Sequence, residues 1–115
     1  RKMLTIDSLR EYGANVDEGL ARCFNKEDFY LRLVGMLQQE QGFDKLEQAL
    51  AAGDLDAGFE AAHALKGVLG NLSLTPLYNP VSEITELLRA RTQMDYGPLL
   101  AQIREKRDAL KELLA

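Results

Sequence analysis

The sequence is poor in several features that mark whole classes of protein. It has one cysteine, one histidine, three prolines and no tryptophan among 115 residues. Because Cys23 has no second cysteine to pair with, an internal disulfide framework is excluded, and we expect a reducing, cytoplasmic location. The sequence also lacks any run of about 18 consecutive apolar residues, which excludes a membrane-spanning helix.

Other absences concern enzymes and nucleic acids. The sequence has no nucleotide-binding loop of the G-x-x-x-x-G-K-[ST] type and no acidic pair placed for magnesium, so we do not expect a kinase or another enzyme. Its 18 acidic residues outnumber its 14 lysines and arginines, which gives a net charge of −4. Phosphate backbones select basic surfaces, so nucleic acid is not expected as a partner.

The N-terminal segment has no apolar signal-peptide core. We expect Met3 to be the natural start, with Arg1 and Lys2 left over from cloning or from a longer parent chain. A methionine so near the start favours a free-standing protein. A length of 115 residues fits one domain over residues 1–115, with a core of its own.

Apolar residues recur at helical spacing through most of the chain, and no alternating run typical of a β-strand is present. Two short helices are predicted at about residues 6–12 and 16–23, separated by Gly13. Longer amphipathic segments follow, and their apolar positions are Phe29, Leu33, Met36 and Leu37; Leu46, Ala49 and Leu50; Phe59, Ala62, Leu65, Leu69 and Leu72; Val81, Ile84, Leu87 and Leu88; and Leu99, Ile103, Leu110, Leu113 and Leu114.

Because the connections are short, consecutive long helices are expected to be antiparallel neighbours. The predicted fold is all-α, an up-and-down antiparallel four-helix bundle with short N-terminal helices. Asn25 is expected to cap the helix that contains Phe29. Gly53 is expected to end the following helix, and either Asp54 or Asp56 to cap the helix that contains Phe59. The next helix could start at Thr75 with Pro76 or at Asn79 with Pro80, and either start predicts a kinked or delayed beginning near Pro80.

The only histidine lies in the segment A-A-H-A-L-K-G-V-L-G-N, residues 61–71. At about 100° per residue, His63, Lys66, Gly67 and Gly70 share one side of the helix, about a third of a turn from its apolar face. We call these four residues the histidine stripe. Glycine in a helix interior costs about 0.5–1 kcal/mol relative to alanine. Two glycines on one stripe therefore need an explanation.

A bare helix surface beside an imidazole suits a reaction with a large partner. The glycines let a second molecule approach His63 closely, the imidazole can act as a nucleophile, and the Lys66 ammonium can balance anionic charge. Close helix packing is the alternative explanation for the glycines, and both roles can coexist. Glu60-x-x-His63 also matches the motif of di-iron bundles, but the chain has no second histidine, so no metal site is expected.

The run H-A-L-K-G-V-L-G-N, residues 63–71, resembles the signature of histidine-containing phosphotransfer (Hpt) domains of two-component phosphorelays. The resemblance covers about residues 4–114. It implies a four-helix bundle whose exposed His63 accepts a phosphoryl group from a receiver-domain aspartyl phosphate and passes it to another receiver aspartate. It also implies that Lys66 lies beside the phosphoryl oxygens, that Gly67 leaves room for them, and that Gly70 belongs to the docking surface.

The resemblance further implies receiver domains as partners, a magnesium ion on the receiver and no cofactor on this chain. A monomer is expected for a bundle of this size. Leu9 and Arg89 are expected in the docking surface. Many members of the family have a glycine ten residues after the histidine, where this chain has Ser73.

A second departure concerns the group that orients the imidazole. Many family members have a glutamine for this purpose twenty-two residues after the histidine, where this chain has Thr85. Thr85, or Glu86 beside it, is therefore the candidate. The alternative function is a helical module that binds a receiver or another signalling partner without being phosphorylated.

Overall fold

Helices form all the regular secondary structure in residues 3–114, the part of the chain that the computed structural model describes. The prediction of an all-α fold is confirmed. Arg1 and Lys2, the predicted remnant, lie outside the described residues. Within that range, no helix is both long and apolar enough to cross a membrane. The elements are α1 Ile6–Tyr12, α2 Val16–Arg22, α3 Glu27–Gly35, a 3-10 turn Met36–Gln39, α4 Gly42–Ala51, α5 Leu55–Asn71, α6 Thr75–Arg89 and α7 Gly97–Leu114.

Local capping explains where α1 and α5 begin. The Thr5 hydroxyl accepts a hydrogen bond from the Ser8 N–H, and the Ser8 hydroxyl accepts one from the Thr5 N–H, each at 2.9 Å. Gly13, with a φ of 106°, ends α1 in the left-handed conformation. The Asp54 carboxylate accepts from the Ala57 N–H at 3.0 Å, so the prediction of a cap at Asp54 is confirmed.

The predicted cap at Asn25 is wrong. Helix α3 begins one residue later than predicted, after Lys26, which has no side-chain cap bond within the described chain. Phe24 and Asn25 have φ angles of 57° and 58°, because they form the turn that follows α2. A residue with this left-handed backbone does not have the extended conformation of a helix N-cap.

The apolar face of α3 differs from the predicted stripe. The buried residues are Tyr30, Val34 and Leu37, whereas Met36 is 59% exposed. Phe29 and Leu33 are half-buried. The α-helix ends at Gly35 and continues as the tighter 3-10 turn, so the direction of successive side chains changes before the end of the predicted stripe.

Helix α5 packs against α4 and α6, and α6 packs against α7. Ala62, Leu65 and Leu69 of α5 are at most 1% exposed, which confirms the predicted apolar face. Burying each leucine contributes about 1.5–3 kcal/mol to stability. At the other end of the chain, α1 packs on α7, where the Tyr12 hydroxyl donates to the Lys106 carbonyl at 2.7 Å. The up-and-down arrangement of four antiparallel helices stays a prediction.

Three contacts hold α2 and α3 beside the C-terminal end of α5. The fully buried Tyr30 donates its hydroxyl hydrogen to the Leu72 carbonyl at 2.8 Å. A Cβ on Gly19 would lie only 2.6 Å from the Tyr30 ring, so only glycine lets α2 approach this closely. The Asn15 N–H donates to the Ser73 carbonyl at 2.9 Å. As a result, α2 lies next to the helix end that carries the histidine stripe.

Helix α6 passes through Pro80 and does not start there. It begins at Thr75 with Pro76 in the first turn, where a missing N–H leaves no intrahelical bond unmade. The predicted start at Thr75 with Pro76 is therefore confirmed to within one residue, and the alternative start at Asn79 with Pro80 is wrong. Leu77 and Val81, on either side of Pro80, are completely buried, and this packing compensates for the backbone donor that the proline lacks.

Candidate functional site

Helix α5 carries the histidine stripe beside its buried face. His63 and Gly67 are exposed, and Lys66 and Gly70 are half-buried. The predicted separation of the stripe from the core is therefore confirmed. It follows from helical geometry alone, because all four residues lie on one continuous helix.

The histidine stripe forms one wall of an open cleft of about 610 Å³. Helix α2, the turn between α5 and α6, and the first turns of α6 supply the other walls. Besides the stripe, the lining includes Asn15, Glu18, Arg22, Ser73 and Tyr78. The residues of α2 could not be identified from the sequence, because Glu18 and Ser73, which meet across the cleft, are 55 residues apart in the chain.

The two glycines of the stripe have different surroundings. An added Cβ on Gly67 would meet nothing within 4 Å among the described residues, so this part of the helix is open. A Cβ on Gly70 would lie 3.1 Å from the Tyr78 ring, which covers that position. Gly67 therefore fits the role of leaving room for a partner, whereas Gly70 both lines the cleft and permits close packing.

The imidazole of His63 is stacked on Phe59. The two ring centroids are 5.4 Å apart and the ring planes differ by 22°. Two guanidinium groups lie over the same phenyl ring, with Arg89 Cζ at 4.9 Å and Arg91 Cζ at 5.1 Å from its centroid. The apolar periodicity of the sequence assigned Phe59 only to the apolar side of the helix. The four-residue spacing to His63 is the signal that could have identified this contact.

Neither predicted orienting residue hydrogen-bonds the imidazole. Thr85 is completely buried, and its hydroxyl donates to the Val81 carbonyl of its own helix at 2.6 Å. The Glu86 carboxylate accepts from Lys66 and Arg89 instead. The prediction that Thr85 or Glu86 orients His63 is therefore wrong for this structure, in which the Phe59 stack supports the ring.

The predicted docking residues have different positions. Leu9 is completely buried in the core, so its assignment to a docking surface is wrong. A hydrophobic residue on a short terminal helix can be either buried or exposed, and here the packing of α1 on α2 and α7 buries it. Arg89 is exposed and reaches the site through Phe59. Ser73 donates its hydroxyl hydrogen to Glu18 at 3.2 Å across the cleft.

The charges near His63 are paired. Lys66 Nζ lies 3.2 Å from Glu86 Oε2, and Arg89 Nε lies 3.1 Å from Glu86 Oε1. The hydrogen bonds from Arg89 and from Lys66 hold the pKa of the Glu86 carboxyl below its usual value. On the α2 side, Arg22 is paired with Glu18 at 3.3 Å. In residues 3–114, no three histidine, cysteine, aspartate or glutamate side chains are arranged to hold a metal ion.

Comparison with protein-family models gives a match to the Hpt domain over residues 33–113. This range contains the whole histidine stripe, helices α4 to α6 and all of α7 except Leu114, and it leaves out α1 and α2. Comparisons with curated proteins and with solved structures give no match. Hpt domains are phosphocarriers of phosphorelays rather than enzymes, and the match covers more than half of the chain. The chain belongs to the Hpt domain family.

Proposed function

We propose that this protein is a phosphorelay carrier. It accepts a phosphoryl group on His63 from the aspartyl phosphate of one receiver domain and passes it to an aspartate of another. The observation that supports this most strongly is an exposed imidazole next to Gly67, whose Cβ direction is open, within the range matched by the family model.

The residues of the stripe have separate roles in this reaction. An imidazole nitrogen of His63 attacks the phosphorus in line, while the Phe59 stack limits the rotation of the ring. Lys66, one turn along the same face, offsets the negative charge of the phosphoryl oxygens. Gly67 lets the receiver approach. The receiver supplies magnesium and most of the stabilisation of the transition state.

The remaining predictions from the sequence belong to this proposal. We propose a monomer that acts in the cytoplasm and carries phosphoryl groups without kinase activity of its own. We also propose that the long helices form the up-and-down bundle that the family implies. Gel filtration combined with light scattering measures the oligomeric state directly.

Labelling with a phosphorylated receiver tests the proposal. Wild-type protein is expected to gain a phosphate that is labile in acid and stable in alkali, and His63→Gln is expected to gain none. The variant should keep its helical circular dichroism spectrum, because His63 is exposed and lies outside the core. Undiminished labelling of His63→Gln would refute the assignment. Receiver binding without labelling of the wild type would favour the non-phosphorylated interaction module.

A further inference from the structure

Glu86 joins two cations at the edge of the histidine stripe. Its Oε2 accepts from Lys66 Nζ at 3.2 Å, and its Oε1 accepts from Arg89 Nε at 3.1 Å. A further contact runs from the second Arg89 nitrogen to Oε2 at 3.4 Å. Lys66 is on α5, whereas Glu86 and Arg89 are on α6. The Lys66–Glu86 pair therefore crosses between helices, and the Arg89–Glu86 pair lies within one helix.

This pairing occupies the same ammonium group that a phosphoryl group on His63 needs. A phosphoryl group carries about −1.5 to −2 charges and offers three acceptor oxygens. Lys66 lies three residues after His63, within reach of those oxygens. The Glu86 carboxylate and the phosphoryl oxygens are anions with one cation between them, so they compete for Lys66 and repel each other.

We propose that Glu86 is a built-in competitor of the phosphoryl group. In the unphosphorylated protein it holds Lys66, and on phosphorylation it gives up Lys66 to the phosphoryl oxygens. The carboxylate thereby raises the free energy of phosphohistidine and shifts the transfer equilibrium towards the receiver. This inference rests on the proposed function and adds a residue that tunes it.

The exposure of the partners fits such an exchange. The Glu86 side chain is 53% exposed and that of Lys66 is 27% exposed. The carboxylate can therefore turn towards solvent while it stays bound to Arg89, and Lys66 can remain beside His63. A glutamate carboxyl is ionised at neutral pH, and the hydrogen bonds from Arg89 and Lys66 lower the pKa of Glu86 further, so the competitor is charged under working conditions.

The transfer step itself leaves Glu86 chemically unchanged. A lone pair of one imidazole nitrogen forms the new N–P bond, while the bond between phosphorus and the aspartyl oxygen of the receiver breaks. The electron pair of that bond stays on the aspartate, which becomes a carboxylate. The proton on the other imidazole nitrogen stays in place. Glu86 changes only its hydrogen-bond partners.

The experiment measures the equilibrium constant for phosphoryl exchange between this chain and a phosphorylated receiver. Glu86→Gln keeps the shape and an acceptor oxygen but removes the charge. We expect it to shift the equilibrium about twofold to fivefold towards phosphohistidine, the range for exposed charge pairs, and the shift should shrink at high salt. The matched control is Glu83→Gln, which removes the same charge one turn earlier on the exposed side of α6 and should match the wild type.

The outcomes separate this inference from the proposed function. An unchanged equilibrium for Glu86→Gln, a shift towards the receiver, or an equal shift for Glu83→Gln would overturn the role of Glu86, while labelling of His63 would still stand. Failure of the wild type to be labelled at all would overturn the proposed function and this inference together. Circular dichroism checks that each variant keeps its helices.

Discussion

Gly67 is the residue at which the requirements of stability and of the proposed function differ most clearly. The space around its Cβ direction is open among the described residues, so alanine fits there without moving a neighbour. Alanine also favours the helix, because it loses less backbone entropy than glycine on folding. With glycine at this open position of the helix, the protein is thus less stable than it would be with alanine.

We expect Gly67→Ala to raise the free energy of unfolding by about 0.5–1 kcal/mol and to slow phosphoryl transfer from a receiver. The added methyl group lies on the side from which the receiver approaches. Urea denaturation and the rate of labelling measure the two effects. Gly70→Ala is the control, since its Cβ would press on the Tyr78 ring at 3.1 Å and should bring a smaller gain in stability. A less stable Gly67→Ala, or an unchanged rate, would contradict this role.

The sequence predicts residues of one helix better than residues that meet across helices. The relative placement of His63, Lys66 and Gly67 follows from a fixed rotation per residue. The burial of Leu9 and Thr85 depends on which neighbouring helices cover them, and spacing along the chain does not contain this information. Both assignments were wrong for that reason.

At the scale of the helices, the end of α2 is built differently from the ends of α1 and α4. Gly13 and Gly53 take up left-handed backbone after α1 and α4 without steric strain. After α2 the left-handed conformation is adopted by Phe24 and Asn25, with φ angles of 57° and 58°, and Phe24 is 80% exposed. The strain at Phe24 is therefore not offset by burial of the ring.

Phe24→Gly is expected to stabilise the protein by about 1 kcal/mol, because glycine adopts the left-handed region without a Cβ clash. Urea denaturation measures the change. Phe24→Ala is the matched control, since it removes the ring but keeps the Cβ, and it should bring little gain. Equal effects of the two substitutions would show that loss of the exposed ring, and not relief of the backbone, is responsible.

The presence of the helices could be predicted from the sequence more reliably than which face of each helix is buried. The apolar periodicity predicted the helices, and Asp54 predicted the start of α5. In α3, two apolar stripes share Leu37, and the packing of Tyr30 against Gly19 and Leu72 accompanies burial of the stripe that the spacing did not select. At Pro80, the packing of Leu77 and Val81 outweighs the local preference of proline to start a helix.

For the whole molecule, Tyr30 links the N-terminal helices to the site. Its ring packs against Gly19 of α2, and its hydroxyl donates to the Leu72 carbonyl at the end of α5. Burial raises the pKa of Tyr30 to about 12. The neutral phenol is thus favoured by the fold. The stability that Tyr30 contributes is complete below the pKa of the unfolded chain, about 10. It is lost as the pH rises to the pKa of the folded protein, about 12.

Tyr30→Phe is expected to lower the free energy of unfolding by about 1–2 kcal/mol at pH 7, because the Leu72 carbonyl loses its donor. The variant should also lose less stability than the wild type between pH 10 and about 12, since it has no phenol to ionise at this position. Urea denaturation across this range measures both effects. Tyr78→Phe is the control and should leave stability at pH 7 unchanged, because within residues 3–114 the tyrosine hydroxyls that donate hydrogen bonds are those of Tyr12, Tyr30 and Tyr96. A steeper alkaline loss in Tyr30→Phe would contradict the burial argument.

The overall fold class could be predicted from composition and periodicity, but the cleft could not. Its α2 wall depends on Tyr30, Gly19 and the bond from Asn15 to Ser73, which are contacts between distant parts of the chain. The family model also begins at residue 33, after α2. The half of the site that lies on α5 was therefore visible in the sequence, whereas the half that faces it needed the structure.

The claim that His63 carries the phosphoryl group is tested most directly by locating the phosphate on the chain. After incubation with a phosphorylated receiver, the protein is digested under alkaline conditions and its peptides are analysed by mass spectrometry. We predict phosphate on the peptide that contains His63, lost on brief acid treatment and absent from His63→Gln. Phosphate on a different residue, or an unmodified His63 peptide, would contradict the assignment.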